Sequence, residues 1–256
     1  MAVRQLKSGV PVDYRGTVDH PRVASDRLIV ALDSADLPSA LAMARRLKGI
    51  VRMVKIGSVL FTACGPVAIR KIKQLGFDVM LDLKFFDIPS TIEMSCRAAA
   101  RHRVSLLTVH ATGQRPMLEA AVRGATEEAW RLGLPVPDVL AVTVLTSVGE
   151  NNRRSISAQV LRLAEQARQA HCPGVVASAQ EAAKLRKRFG QQLRILCPGI
   201  RASSAGGDDQ HRVATPSQAL LAGADWLVVG RPITASVDPR QATKRILKEM
   251  EAATEC

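Results

Sequence analysis

Residues 77–102 read FDVMLDLKFFDIPSTIEMSCRAAARH, and the fold is decided by how this segment divides. Over 77–84 the chain alternates as a strand does, with Val79, Leu81 and Leu83 on one face and Met80, Asp82 and Lys84 on the other. Residues 91–102 carry apolar side chains at helical spacing, and Ser90 and Glu93 stand as an S-x-x-E capping box ahead of them. The segment is therefore a strand, a polar loop and a helix.

The same unit recurs on both sides. Strands are predicted at 27–33, 52–57, 77–84, 106–111, 139–146, 174–178, 194–198 and 226–230. Helices are predicted between and after them, at 38–48, 66–75, 91–102, 115–132, 157–170, 179–189, 216–222 and 239–250. Pro66 and Pro216 suit a first helical turn, and Gly76, Gly133, Gly190 and Gly223 stand where helices stop. Strands buried on both faces and joined by helices of about three turns imply a parallel sheet, and eight such units imply closure into a single (βα)8 TIM barrel. The barrel is expected to occupy 26–256. Residues 1–25 show no periodicity and are read as an N-terminal extension of unknown order. An open doubly wound sheet is the rival, but no G-x-G-x-x-G turn follows the first strand.

Composition narrows the class. The chain has 256 residues, 47% hydrophobic and 23% charged, which suits a globular protein with a substantial core. Its apolar runs, such as 28–32 and 139–145, fall well short of the ~20 residues needed to cross a bilayer. The first residues hold no apolar core of a secretory signal, so the expectation is a cytoplasmic protein with no membrane partner. Cys64, Cys96, Cys172, Cys197 and Cys256 are odd in number and widely spaced, which favours free thiols over disulfides or a zinc site. A formal net charge of +13 admits nucleic acid, an anionic surface or a phosphorylated metabolite as partner. With aromatics at 3% there is no stacking platform, and runs such as Lys184, Arg186, Lys187 and Arg188 read as solvated helix faces.

In a barrel the reacting groups stand at the C-terminal ends of strands and in the loops that follow. Asp82 and Lys84 share the face expected to point inward, Asp33 ends the first strand and Lys55 the second, and Asp87 follows in the loop, so two lysines and three carboxylates are expected to converge. An isolated D-x-K pair also fits a structural ion pair, because burying one such charge alone is costly. His110 is read as a hydrogen-bonded structural residue, and Trp130 and Trp226 as packing.

The stretch LDLKFFDIPST resembles the D-x-K-x-x-D-I-P-x-T signature of the orotidine 5'-phosphate decarboxylase family. Other pieces of that family follow in order: ALD ending at Asp33, VKIG with Lys55, VLTS with Thr146 and Ser147, PGIR ending at Arg201, Gln210 in the next loop, and VGRPIT with Gly230 and Arg231. Cys197 departs from the threonine often found before PGIR. The resemblance spans about 27–250 and implies decarboxylation of orotidine 5'-monophosphate to UMP without cofactor or metal. It makes Lys84 the group that stabilises and protonates the C6 carbanion, with Asp82, Asp87 and Lys55 as its charged neighbours. It assigns substrate binding to Asp33, Lys55, Thr91, Thr146, Ser147, Arg201, Gln210, Gly230 and Arg231. It further implies a homodimer in which Asp87 and Thr91 complete the neighbouring site. Two alternatives stand beside it: a magnesium-dependent sugar-phosphate decarboxylase or aldolase of the same superfamily, which shares D-x-K-x-x-D but usually lacks I-P-x-T, and a noncatalytic nucleic-acid-binding barrel. Paired carboxylates at a barrel mouth argue against nucleic acid.

Overall fold

The computed structural model describes residues 23–145, 153–201 and 214–254. Eight parallel strands close in sequence order: β1 (Leu28–Leu32), β2 (Met53–Gly57), β3 (Asp78–Phe85), β4 (Leu106–His110), β5 (Asp138–Val142), β6 (Gly174–Val176), β7 (Arg194–Cys197) and β8 (Trp226–Val229). The ring closes where β8 pairs with β1, Leu28 opposite Leu227. This is the expected barrel.

Its helices are α1 (Ala24–Arg27), α2 (Leu37–Leu47), α3 (Ser58–Cys64), α4 (Pro66–Gln74), α5 (Pro89–Arg101), α6 (Gln114–Arg131), α7 (Arg153–Gln169), α8 (Ala179–Phe189), α9 (Pro216–Leu221), α10 (Arg231–Thr234) and α11 (Pro239–Thr254). All eight expected helices are present. The additional α1, α3 and α10 have four to seven residues each, too short to print a period on the sequence.

Alternation along the strands makes two cores. Val30, Val54, Val79, Leu107 and Ala141 face outward and pack beneath the helices. Ile29, Met53, Met80, Leu106, Leu140, Val176, Leu196 and Trp226 fill the barrel interior below the mouth. Interior packing makes the mouth the floor of a cleft rather than the end of a pore. Ala24 is buried and the Ser25 carbonyl accepts from the Arg52 amide, so the chain joins the barrel a few residues before β1.

Local signals explain most helix ends. Asp36 caps α2 by accepting from the Ser39 amide at 2.8 Å. Gly76 and Gly223 follow α4 and α9 at φ +96° and +98°, a region closed to most side chains. The capping box expected at Ser90 and Glu93 is not formed. Pro89, with its fixed φ, opens α5 two residues earlier than expected and leaves Ser90 inside the first turn. Glu93 instead meets Arg97 at 2.9 Å. A reciprocal capping box does form at α9, between Thr215 and Gln218.

Trp226 is fully buried as expected, but Trp130 is 52% exposed on the outer wall, so only the first is a packing residue. Cys96, Cys172 and Cys197 are buried free thiols, and burial pushes the Cys96 thiol up to about 12. No helix among the described residues is long and apolar enough to cross a membrane.

Candidate active site

Three adjacent strands bring four charges together at the C-terminal end of the barrel. Asp82 lies between the two lysines: Lys84 Nζ donates to its Oδ1 at 2.8 Å, and Lys55 Nζ stands 3.4 Å from its Oδ2. Lys55 Nζ also donates to Asp33 Oδ1 at 3.0 Å. The chain of charges thus alternates Asp33, Lys55, Asp82, Lys84. Exposure falls inward, from 54% of the Asp33 side chain to 11% for both Lys55 and Asp82. Burial works against ionisation of Asp82, but Lys55, Lys84 and hydrogen bonds from Lys84 and Thr108 outweigh it and hold its carboxyl below the ordinary range.

The backbone is shaped for this arrangement. A Cβ on Gly57 would come within 2.9 Å of Lys55 Nζ and 3.1 Å of Asp33 Oδ1, so the glycine that ends β2 leaves room for their ion pair. Lys84 sits at φ +49°, left-handed backbone that costs a non-glycine residue energy. The Thr108 hydroxyl accepts from the Lys84 amide at 3.0 Å and donates to Asp82 Oδ1 at 2.9 Å. Thr108 gave no signal in the sequence, since threonine in an apolar strand is an ordinary β former.

A cavity of about 270 Å³ opens beside the cluster, lined by Asp33, Lys55, Asp82, Lys84, Arg201, Gly230 and Arg231 among others. A second, of about 670 Å³, shares Asp33, Lys55, Asp82, Lys84 and Arg231 and runs out past Ser39 and Val59. The mouth therefore combines the alternating carboxylates and lysines with two arginines, Arg201 and Arg231. Such a cleft can take a phosphorylated molecule and place it against a lysine.

Not every expected residue joins the cluster. Asp87 is exposed, its Oδ1 accepting from the Ile88 amide at 2.6 Å, because the loop after β3 turns outward there. The convergence of three carboxylates within one chain is thus corrected to two. Thr91, in the first turns of α5, is half-buried away from both cavities. Thr146, Ser147 and Gln210 lie outside the described residues. His110 lies closer to the chemistry than its sequence suggested: burial and Lys84 lower its pKa while Asp82 raises it, and its ring meets Phe86 edge-on at 5.9 Å. Among the described residues no group of three or more His, Cys, Asp or Glu side chains is placed to hold a metal ion.

The model of the orotidine 5'-phosphate decarboxylase / HUMPS family matches residues 26–246. The orotidine 5'-phosphate decarboxylase of Saccharophagus degradans is 44% identical over 239 residues, covering 91% of this chain and 98% of the relative. That of Moorella thermoacetica is 43% identical over 235 residues, 89% of this chain and 93% of the relative. Among solved structures, orotidine 5'-phosphate decarboxylase from Lactobacillus acidophilus matches with TM-score 0.73 and 35% identity, covering 88% of this chain and 99% of that one. With a mouth built from Asp33, Lys55, Asp82 and Lys84 and a match along nearly its whole length, the chain belongs to the orotidine 5'-phosphate decarboxylase / HUMPS family.

Proposed function

We propose that this protein decarboxylates orotidine 5'-monophosphate to UMP in pyrimidine biosynthesis, with no cofactor or metal, and that Lys84 carries the chemistry. The observation that carries this reading is the 2.8 Å pair of Lys84 with an Asp82 whose other oxygen faces a second lysine, at the edge of a nucleotide-sized cleft. Loss of carbon dioxide from pyrimidine C6 leaves an electron pair in the plane of the ring, where the π system cannot absorb it. A fixed ammonium beside C6 stabilises that charge as it develops and needs no solvent reorganisation. Lys84 then transfers a proton to C6, giving UMP and a neutral amine that regains its proton from water. Asp82, tethered through its other oxygen by Lys55, aims the ammonium.

Arg201, Gly230 and Arg231, which line the same cavity as Lys84, are assigned to the phosphate. Asp33 and Lys55 are assigned to the ribose hydroxyls, and Thr146, Ser147, Gln210 and Thr91 to the remaining polar contacts. Binding energy gathered at the phosphate is then available to hold C6 against Lys84. The active species is a homodimer in which Asp87 and Thr91 complete the partner's site. Phe86 and Ile88, on either side of Asp87, are 62% and 64% exposed, and Met94 on α5 is 64% exposed, an apolar flank suited to contact with a second chain. The protein is placed in the cytoplasm, and nucleic acid is not a partner in this reading.

The test is the ultraviolet change of orotidine 5'-monophosphate on conversion to UMP, run with EDTA. Full turnover in chelator is expected. Activity that appears only with magnesium and a sugar phosphate would replace this reading with that of the sugar-phosphate branch.

A further inference from the structure

β3 and β4 pair in register at Leu81 and Leu107, then again only at Phe85 and Val109. Asp82, Leu83 and Lys84 therefore stand opposite the single residue Thr108. Such a bulge interrupts the ladder and re-aims the side chains of the longer strand. It also leaves the Lys84 amide, at φ +49°, without a strand partner, and a buried amide so stranded is costly.

Thr108, 1% exposed on the inward face of β4, answers both needs with one hydroxyl. Its oxygen accepts from the Lys84 amide at 3.0 Å and its proton goes to Asp82 Oδ1 at 2.9 Å, the oxygen that also takes Lys84 Nζ at 2.8 Å. Backbone, carboxylate and ammonium are thereby closed into one ring. We propose that Thr108 is the positioning residue of this site: its hydroxyl fixes the left-handed turn at Lys84 and the rotamer of Asp82, and so sets where the ammonium stands relative to the reacting carbon.

The inference rests on the decarboxylase reading but concerns a residue that touches no substrate in it. Removing the hydroxyl frees the Lys84 turn and takes one donor from Asp82, while the arginines assigned to the phosphate are left as they were. The charged groups that face Asp82 are Lys84 on its own strand and Lys55 on β2, with His110 further along β4.

The test compares Thr108→Val, which keeps the shape, with Thr108→Ser, which keeps the hydroxyl, both well below their melting temperatures. Expected for Val is a fall in kcat of about ten- to hundred-fold, the scale of a misplacement near 1 Å, with KM within roughly three-fold of the parent. The acid limb of the kcat profile is expected to move to higher pH, since Asp82 has lost a donor to its charged form. Serine is expected to restore kcat to within a few-fold. A Val protein that melts earlier yet keeps the parent kcat and pH profile overturns the proposal and leaves Thr108 merely structural. Turnover by the parent tests the decarboxylase reading separately. The carbon-13 NMR titration of the Asp82 carboxyl needs no turnover: its midpoint must rise in Val and return in Ser, and a midpoint unchanged in Val overturns the proposal whatever the reaction is.

Discussion

Asp82 and Asp138 both point into the barrel and both touch a cation, Asp82 meeting Lys84 at 2.8 Å near the mouth and Asp138 meeting Arg194 at 2.6 Å near the base. Their surroundings drive them in opposite directions. Asp82 has two lysines and a hydroxyl on its two oxygens, and its pKa is lowered. Asp138 has one guanidinium, fully buried surroundings and an Oδ1 with no hydrogen-bond partner among the described residues, and burial pushes its carboxyl up to about 7 against the pull of Arg194. The guanidinium is itself shared, lying 5.5 Å from the centre of the Trp226 ring. One opposite charge does not repay the desolvation of a carboxylate, whereas two cations and a neutral donor do. The mouth is thus built to keep charges ionised for chemistry, and the base to close the barrel.

That contrast can be broken by exchanging each carboxylate for its amide. Asp82→Asn removes the charge shared by two lysines, and kcat on orotidine 5'-monophosphate is expected to fall by about 10³-fold. Asp138→Asn is expected to keep kcat within about three-fold. Equal losses in the two variants would erase the distinction.

In the proposed homodimer the mouth, unlike the base, is completed by a second chain. Mixing inactive Lys84→Ala and Asp87→Ala proteins under subunit exchange is expected to restore roughly a quarter of normal activity, since half of randomly paired dimers carry one intact site of two. No recovery despite demonstrated exchange would place Asp87 outside the neighbouring site.

The smallest expected effect is at the base. The folded chain holds a proton on Asp138 that the unfolded chain, at the ordinary value of about 3.9, has already released. Stability contributed there therefore falls as pH climbs from about 4 to about 7, by up to ~4 kcal/mol, and levels off above. Asn cannot ionise. The melting temperature of Asp138→Asn relative to the parent is thus expected to rise by roughly 3–10 °C between pH 4.5 and pH 7.5. A constant difference across that range would show that Asp138 is ionised throughout.

The parts of this molecule that repeat with a period were readable in the sequence. Val79, Leu81 and Leu83 alternating with Met80, Asp82 and Lys84 gave β3 its two faces, and the β3 face that points inward is the expected one. What escaped was set by contacts between distant segments. The bulge opposite Thr108 depends on a hydroxyl on the next strand, and nothing in LLTVH marks it. Asp138 and Arg194 are 56 residues apart and pair only because β5 and β7 flank the short β6. At Ser90 a correct motif was outcompeted locally, since Pro89 starts the helix first. The outward turn at Asp87 is a loop geometry that D-x-K-x-x-D spacing does not encode.

The most direct measurement is the rate of carbon dioxide release from orotidine 5'-monophosphate by Lys84→Ala protein whose melting temperature and dimerisation match the parent. The account expects a loss of about 10⁴-fold or more, because one side chain supplies both the stabilising charge and the proton. A rate within ten-fold of the parent would contradict it and move the chemistry away from Lys84.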